Sequence, residues 1–415
     1  MTSGEKSSST ASLAGIRVLD MSRVLAGPWA GQTLGDLGAE VIKIERPGAG
    51  DDTRSWGPPY LKDETGEETS EAAYYLCANR NKKSVTVDIN CAKGQEIVRQ
   101  LAAKSDVLIE NFKVGGLKRY GLDYDGLHRI NPRLIYCSIT GFGQTGPYSH
   151  RAGYDFLIQA MGGMMSITGR GDTEAGAGPQ KVGVAITDIV TGLYATVGIL
   201  AALRHREATG EGQHVDMALL DAQIASLANQ NMNYLTTGVA PVRLGNSHPN
   251  IVPYQDFPTA DGGMVIAVGN DSQFANLCTV LLHPEWAKDV RFTNNRARVA
   301  NRDVLIPLMR AATAAKPTTA WVAALERVGV PCGPVNTLSD VFDDPQVKAR
   351  GLKIALPHPL SGQVALVGNP MRLSESPVQY RVAPPVLGQH TAEVLGGLLD
   401  MPETQLAELA AQGVI

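Results

Sequence analysis

Cysteine is scarce in this 415-residue chain: there are five, Cys77, Cys91, Cys137, Cys278 and Cys332, and none has C-x-x-C spacing. An odd and scattered set excludes a disulfide framework and a zinc site, and reads as reduced, mostly buried thiols of a cytoplasmic protein. The eight histidines are equally dispersed, without an H-E-x-x-H pattern, so no metal is expected. Excess positive charge is also missing, because 37 Lys and Arg stand against 41 Asp and Glu for a formal net charge of −4. No nucleic-acid partner is implied, while a local basic cleft for a phosphate-bearing ligand stays compatible with that balance. Long uninterrupted apolar runs are absent too. The most apolar segment, Ile186 to Leu203, carries Asp188 near its start and is interrupted by Thr191 and Gly192. It reads as a buried helix of a soluble protein and not as a membrane span. Residues 1–11 are rich in Ser and Thr and lack the apolar stretch of a secretory signal, which predicts a disordered tail.

What is present is an alternation of short apolar runs with helical stretches. Ile16–Leu19, Val41–Ile44, Ser84–Asp88, Val107–Glu110 and Leu134–Ile139 read as strands, with helices over Trp29–Leu37 and Lys93–Lys104 between them. Such βαβ units predict an α/β fold with a mainly parallel sheet and ligands at the carboxyl ends of the strands. The stretch from Pro47 to Ala73 reads as one long loop. Helices follow at Tyr154–Met164, Asp188–Arg206 and Leu219–Leu235, and a second unit begins near Gly245 with a strand at Met264–Val268. Strands near Lys353 and Val364 and a terminal helix over Pro402–Gln412 repeat the texture of the first half.

Several motifs in order carry a closer likeness. Val18-Leu-Asp-Met-Ser-Arg-Val-Leu-Ala-Gly-Pro28, Leu34-Gly-Asp-Leu-Gly-Ala-Glu-Val-Ile-Lys-Ile-Glu-Arg-Pro47, Glu110-Asn-Phe112, Gly141-Phe-Gly-Gln-Thr-Gly-Pro147, Gly153-Tyr-Asp155 and Thr187-Asp-Ile-Val-Thr-Gly192 resemble the family III CoA-transferases. Gly329-Val-Pro-Cys-Gly-Pro334 and Leu387-Gly-Gln-His390 extend the resemblance to essentially residues 13 to 415. Pro47-Gly-Ala-Gly-Asp-Asp-Thr-Arg54, Trp56-Gly-Pro-Pro59 and Ile251-Val-Pro-Tyr-Gln255 are similar to the branch that handles dicarboxylates such as succinate. The resemblance implies a Rossmann-like large domain whose parallel sheet is built from both chain ends, 12–222 and 336–415. It also implies a smaller α+β middle domain, 223–335 with its linker, and an interlocked homodimer. Coenzyme A would be the co-substrate, passed between an acyl-CoA and a free carboxylic acid without metal, nucleic acid or membrane.

The same resemblance places the catalytic aspartate at Asp188. On residue type alone an Asp at the start of a long helix is a helix cap, and capping is compatible with catalysis, since a helix N-terminus favours an ionised carboxylate. By resemblance Arg46 and Arg119 hold the CoA phosphates, and Val24, Leu25, Asn111 and Phe112 contact its pantetheine and nucleotide. The plain alternatives are a surface ion pair of Arg46 with Glu45 and a core role for Phe112. Gly27, Gly141, Gly143 and Gln144 are candidates for oxyanion donors, or ordinary turn residues. Tyr154 separates two chemistries: the related α-methylacyl-CoA racemases carry a histidine there, and a phenol with an ordinary pKa near 10 is a poor partner for proton exchange at an α-carbon. His248 is expected near the acyl group or as a satisfied buried histidine, and His390 as structural.

Overall fold

The computed structural model describes residues 11–415, so the expected tail lies outside the described residues apart from Ala11. The chain forms two compact units. The first contains the chain up to Met164, Val182–Met232 and Lys348–Ile415; the second contains Met165–Lys181 and Asn233–Val347. The middle unit thus begins and ends about ten residues later than the sequence suggests, and it also takes a short segment from before the long helix.

The first unit is organised by a six-stranded sheet made of β1 (Arg17–Asp20), β2 (Glu40–Glu45), β5 (Lys82–Thr86), β6 (Val107–Glu110), β7 (Ile135–Thr140) and β8 (His214–Ala218). Its order is β5-β2-β1-β6-β7-β8 and all five pairings are parallel. This is the doubly wound order, in which the chain leaves β1 in one direction and later returns to its other side at β6. Successive residues alternate between the two faces. Val18, Val41, Val107 and Ile109 pack against Ala30 and Leu34 of the helix Ala26–Asp36 and Ala195 and Ile199 of the helix Ile186–Thr209. Leu19, Ile42 and Leu108 pack on the opposite side against Ile97 and Leu101 of Ala92–Ala103 and against Val394 and Leu409 near the C-terminus. Burial of each such side chain contributes about 1.5–3 kcal/mol. Because both faces are covered, the strands read as nearly continuous apolar runs.

Ile186–Thr209 is the one helix among the described residues long and apolar enough to cross a bilayer. Here Ala195, Ile199 and Ala202 are sealed in the core. The segment expected as a long loop holds a small hairpin, β3 (Tyr60–Lys62) with β4 (Glu68–Ala72). The helix expected over Leu219–Leu235 is two, Leu219–Ser226 and Ala228–Thr237, broken where Ala228 takes φ 42°.

The C-terminal strands do not join the main sheet, which corrects the expectation of a sheet built from both ends. β12 (Lys353–His358) and β13 (Gly362–Val367) pair with each other, antiparallel, Lys353 opposite Val367. Only three residues connect them, too few for a parallel crossover. The C-terminal segment instead caps the free edge of β5. Asn81 N–H donates to the Val382 carbonyl (2.8 Å), His390 N–H to the Ser84 carbonyl (2.9 Å), and Thr86 N–H to Thr391 Oγ1 (3.0 Å). An exposed edge of unpaired backbone groups is thereby covered, and His390 is structural, as expected.

The second unit has a three-stranded antiparallel sheet, β11-β10-β9, made of β9 (Tyr254–Thr259), β10 (Gly262–Ala267) and β11 (Cys332–Pro334). Helices including Asp271–Val280, Arg302–Thr313 and Thr318–Glu326 enclose a core of Phe257, Phe274, Phe292 and Trp321. It is an α+β unit.

Candidate active site

The topological switch point of the large sheet lies between β1 and β6, where a crevice opens at the strand ends. The turn after β1 is Met21–Leu25 and that after β6 begins at Asn111, so the motifs singled out in the sequence meet here. Asn111 clamps the first turn through both polar atoms: Arg23 N–H donates to its Oδ1 (3.0 Å) and its Nδ2 donates to the Arg23 carbonyl (2.7 Å). Val24, with φ 73°, sits in the left-handed region. For a β-branched residue that is a genuine outlier, costing on the order of 1–3 kcal/mol.

Two cavities flank this turn. One, of about 160 Å³, is lined by Val24, Leu25, Ala26, Asn111, Gly141, Tyr154 and Asp188 among others. The other, of about 380 Å³, is lined by Arg46, Arg119, Tyr120, Asn90 and Ile89. Arg23, Asp52, Phe112 and Lys113 line both, with Arg23 paired to Asp52 at 2.9 Å. The structure thus brings together, in one unit, Val24, Leu25, Arg46, Asn111, Phe112, Arg119, Tyr154 and Asp188. Glu45 does not pair with Arg46 but is buried against Arg54 (2.8 Å), which leaves the exposed Arg46 guanidinium facing the cavity. Phe112 both packs against the core and lines the crevice. His248 belongs to the second unit, where its Nδ1 accepts the Asn250 N–H (3.0 Å) and its ring lies against Tyr254.

Asp188 lies in the first turn of Ile186–Thr209, whose N-cap is Ala185. It is not the cap, and the capping reading is corrected accordingly. Asp155, in Asp155–Met161, supplies the acceptor: its Oδ1 takes the N–H groups of Thr187 (2.8 Å) and, more weakly, Asp188 (3.4 Å), while Gln159 Nε2 holds its Oδ2 (2.7 Å). The Asp188 side chain, 8% exposed, is left free to face the cavity. Gly192 explains how it comes to lie beside the turn after β1. One helical turn on, at i+4 and so on the same face, a Cβ there would stand 2.6 Å from the Ala26 carbonyl oxygen. Only glycine lets the two helices approach so closely.

Burial, and then the negative charge of Asp155, push the Asp188 carboxyl from 3.8 up to about 7. The favourable helix terminus therefore does not keep it in the ordinary carboxylate range; desolvation outweighs it. Tyr74, half-buried and edge-on to Trp56 at 5.2 Å, has its phenol raised to about 12, first by burial and then by the charge of Asp188. Neither Tyr74 nor Lys113 is marked by any spacing, although Lys113 directly follows the Glu110-Asn-Phe112 motif. Of the proposed oxyanion donors, Gly141 lines the cavity, but the N–H groups of Gly143 and Gln144 are committed to Thr140 Oγ1 and Asp216 Oδ2. Gly27 instead touches Ser22, whose Oγ would lie 2.2 Å from a Cβ at that position. Among the described residues, no group of three or more His, Cys, Asp or Glu is placed to hold a metal ion.

The large unit thus combines a doubly wound sheet, a cation-lined crevice at its switch point and a buried carboxyl at one end. The chain matches CoA-transferase family III over residues 13–391 and belongs to that family; it is an enzyme of the CoA-transferase class. It is 50% identical over 392 residues to a succinate–glutarate CoA-transferase of Agrobacterium fabrum, covering 94% of this chain and 97% of that one. A succinyl-CoA:glutarate CoA-transferase of Homo sapiens is 44% identical over 403 residues, covering 97% and 90% of the two chains. The crystal structure of a CaiB/BaiF family protein from Brucella suis superposes with a TM-score of 0.81 at 52% identity, covering 93% of this chain and 99% of that one.

Proposed function

We propose that the protein transfers CoA from succinyl-CoA to a second short dicarboxylic acid such as glutarate, with Asp188 as the nucleophile. The observation that carries this reading is the Asp188 carboxyl: buried, without a hydrogen-bond acceptor role elsewhere, and lining the crevice beside Leu25 and Ala26. The names of the similar transferases support the choice of acids.

A carboxylate suits the reaction because its anhydride and its thioester are both reactive acyl groups. The Asp188 carboxylate attacks the donor thioester carbonyl, the C–S bond breaks, and an aspartyl mixed anhydride and CoA thiolate result. The thiolate then attacks the aspartyl carbonyl, releasing the donor acid as its carboxylate and leaving aspartyl-CoA thioester. The acceptor carboxylate attacks that thioester to form a second anhydride, and the thiolate, attacking the acceptor's carbonyl, regenerates Asp188. No ATP or metal enters, since one thioester is exchanged for another. A carboxylate is a weak nucleophile, so positioning at high effective concentration carries much of the acceleration. Its shift to about 7 leaves a large ionised fraction at neutral pH.

Arg46, Arg119 and Lys113 suit the phosphates of CoA, with Val24, Leu25, Asn111 and Phe112 along its pantetheine arm. Tyr154, 63% exposed, is available to the acyl group. Assembly as a homodimer is supported by apolar side chains left open to solvent, Phe156 and Leu157 on one helix and Leu193, Tyr194 and Val197 on another. Light scattering at high dilution tests it: a compact folded monomer would contradict the dimer. The function itself is tested by crossing succinyl-, glutaryl-, formyl- and carnitinyl-CoA with free acids and following exchanged thioesters. Exchange is expected to be fastest between succinate and glutarate. Solvent deuterium at the α-carbon of a thioester without CoA exchange would overturn the reading.

A further inference from the structure

The turn that carries Val24 is held from beneath by charge. Lys43, on β2, and Asp51 are both sealed from solvent and paired at 2.8 Å. Lys43 Nζ also donates to the Ser22 carbonyl (2.9 Å), and Asp51 Oδ1 accepts the Val24 N–H (3.2 Å) together with the Thr53 N–H (3.0 Å) and Oγ1–H (2.8 Å). Asp51 is itself aligned by its own N–H, donated to Glu45 Oε1 (2.9 Å). Burying an ion pair is a poor way to gain stability, because desolvating both charges offsets their attraction. A buried pair in which each partner also holds one backbone group of a strained turn, the Ser22 carbonyl and the Val24 N–H, has a different use available to it.

We propose that Lys43 and Asp51 are positioning residues of the acyl-transfer site: they hold Val24 in its left-handed conformation and so set where Leu25 and Ala26 stand in the cavity lined by Asp188. The strain and the pair are two halves of one device. Val24 left to itself relaxes to φ below zero, which turns its N–H away from Asp51 and re-aims the start of the helix Ala26–Asp36. With Ser22 O on Lys43, Arg23 on Asn111 and Val24 N–H on Asp51, three successive residues of the turn are each anchored. Leu25 follows directly, and any drift in the turn is passed to the crevice.

This inference rests on the Asp188 cavity being the site of acyl transfer. The test compares the apolar replacement of the pair, Lys43→Met with Asp51→Leu, in the native background and in a Val24→Gly background, measuring kcat for succinyl-CoA:glutarate exchange and the thermal midpoint of each protein. Glycine takes φ near +73° without strain, so it makes the turn independent of its anchors. In the native background the double replacement is expected to lower kcat roughly tenfold to a hundredfold; in the Val24→Gly background the further loss is expected to be less than about threefold, because the conformation no longer needs holding. An equal loss in both backgrounds with unchanged thermal midpoints, or no loss in either, would overturn the inference. If the double replacement does not fold, Asp51→Asn, which keeps the size and removes the charge, is read against Val24→Gly in the same way. Absence of CoA exchange in the native enzyme would count against the reading of the site, whereas exchange without dependence on Val24 counts against this inference alone.

Discussion

In the first unit, Asp20 with Lys82 and Asp51 with Lys43 are sealed from solvent as two ion pairs. The core of the second unit is filled by Phe257, Phe274, Phe292 and Trp321, and the cation buried there, Arg298, pairs with an Asp271 side chain that is 55% exposed. The contrast separates two uses of an interior. Apolar packing tolerates volume-conserving exchange and supplies stability without much direction. Hydrogen-bonded charge supplies direction: Asp20 takes the Ser22 N–H (3.0 Å) and Oγ–H (2.5 Å), and Lys82 donates to the Pro28 carbonyl (2.8 Å) and Asn79 Oδ1 (2.9 Å). Buried charge is concentrated around the turn that lines the cavity with the Asp188 carboxyl, and the second unit holds little of it.

The strongest test of that contrast is at Asp188. Replacement by Ala is expected to abolish CoA transfer, by about 10⁴-fold or more, while the protein stays folded and CoA binding measured by calorimetry persists. Hydroxylamine added during turnover should label the Asp188 peptide of the native enzyme, and labelling of Asp155 instead would sink the assignment. Next come the two interiors themselves. Lys82→Met strands Asp20 in the core and should cost about 3–5 kcal/mol, and Phe274→Ala should cost a similar amount through its cavity. They are told apart by pH. Asp20 is held below the ordinary carboxylate range against its own burial by Lys82 and Lys43, so without Lys82 its protonation relieves the variant, and the loss should shrink on acidification. The Phe274→Ala loss should not change. Equal pH dependence, followed by urea unfolding, would erase the distinction drawn between the regions.

A smaller effect concerns the cost of keeping the Asp188 carboxyl buried. The Asp188 carboxyl titrates near 7 in the folded protein against 3.8 as its ordinary value. The folded state therefore holds the proton more tightly, and the stability this contributes, present below pH 3.8, is lost as pH rises through about 7. Asp188→Asn should accordingly gain on the order of a few kcal/mol over the native protein at pH 8, a gain that vanishes toward pH 4. The same titration predicts that kcat/KM rises with pH through about 7, and that Asp155→Asn moves this limb to lower pH by removing a neighbouring negative charge. A limb that stays in place would mean that another group controls it. The smallest change is at the surface: Arg204→Ala, which removes an exposed pair with Glu207, should alter unfolding by no more than about 0.5 kcal/mol.

Much of this is legible in the sequence. The sequence places β1, β2, β6 and β7 to within a residue or two because both faces of each are buried, and a nearly continuous apolar run leaves few other fates. The motif residues Val24, Asn111, Phe112 and Asp188 were identified through family likeness, and the fold gathers them at the switch point for a topological reason. Other features left no local trace. Asp155 caps a helix 32 residues further on, so its role depends on a contact that no spacing encodes. The left-handed turn at Val24 runs against residue type, and nothing near Lys43 in the sequence points to its buried partner Asp51. β12 and β13 read as strands, but with whom they pair is decided by a three-residue connection, and their texture resembles that of the main sheet.

The covering of the β5 edge by residues near Val382 and His390 bears on how the protein is made. On a ribosome the six strands, complete at Ala218, emerge more than 160 residues before their cover does. At ordinary elongation rates of about 5–20 residues per second, that edge waits on the order of ten seconds for its partner. Throughout that interval Lys82–Thr86 presents an unsatisfied strand to any neighbour, including the same strand on a following nascent chain. Sequestration by a chaperone would have its greatest value in this window, and truncation just before Val382 should give an aggregating product even though every strand of the sheet is present.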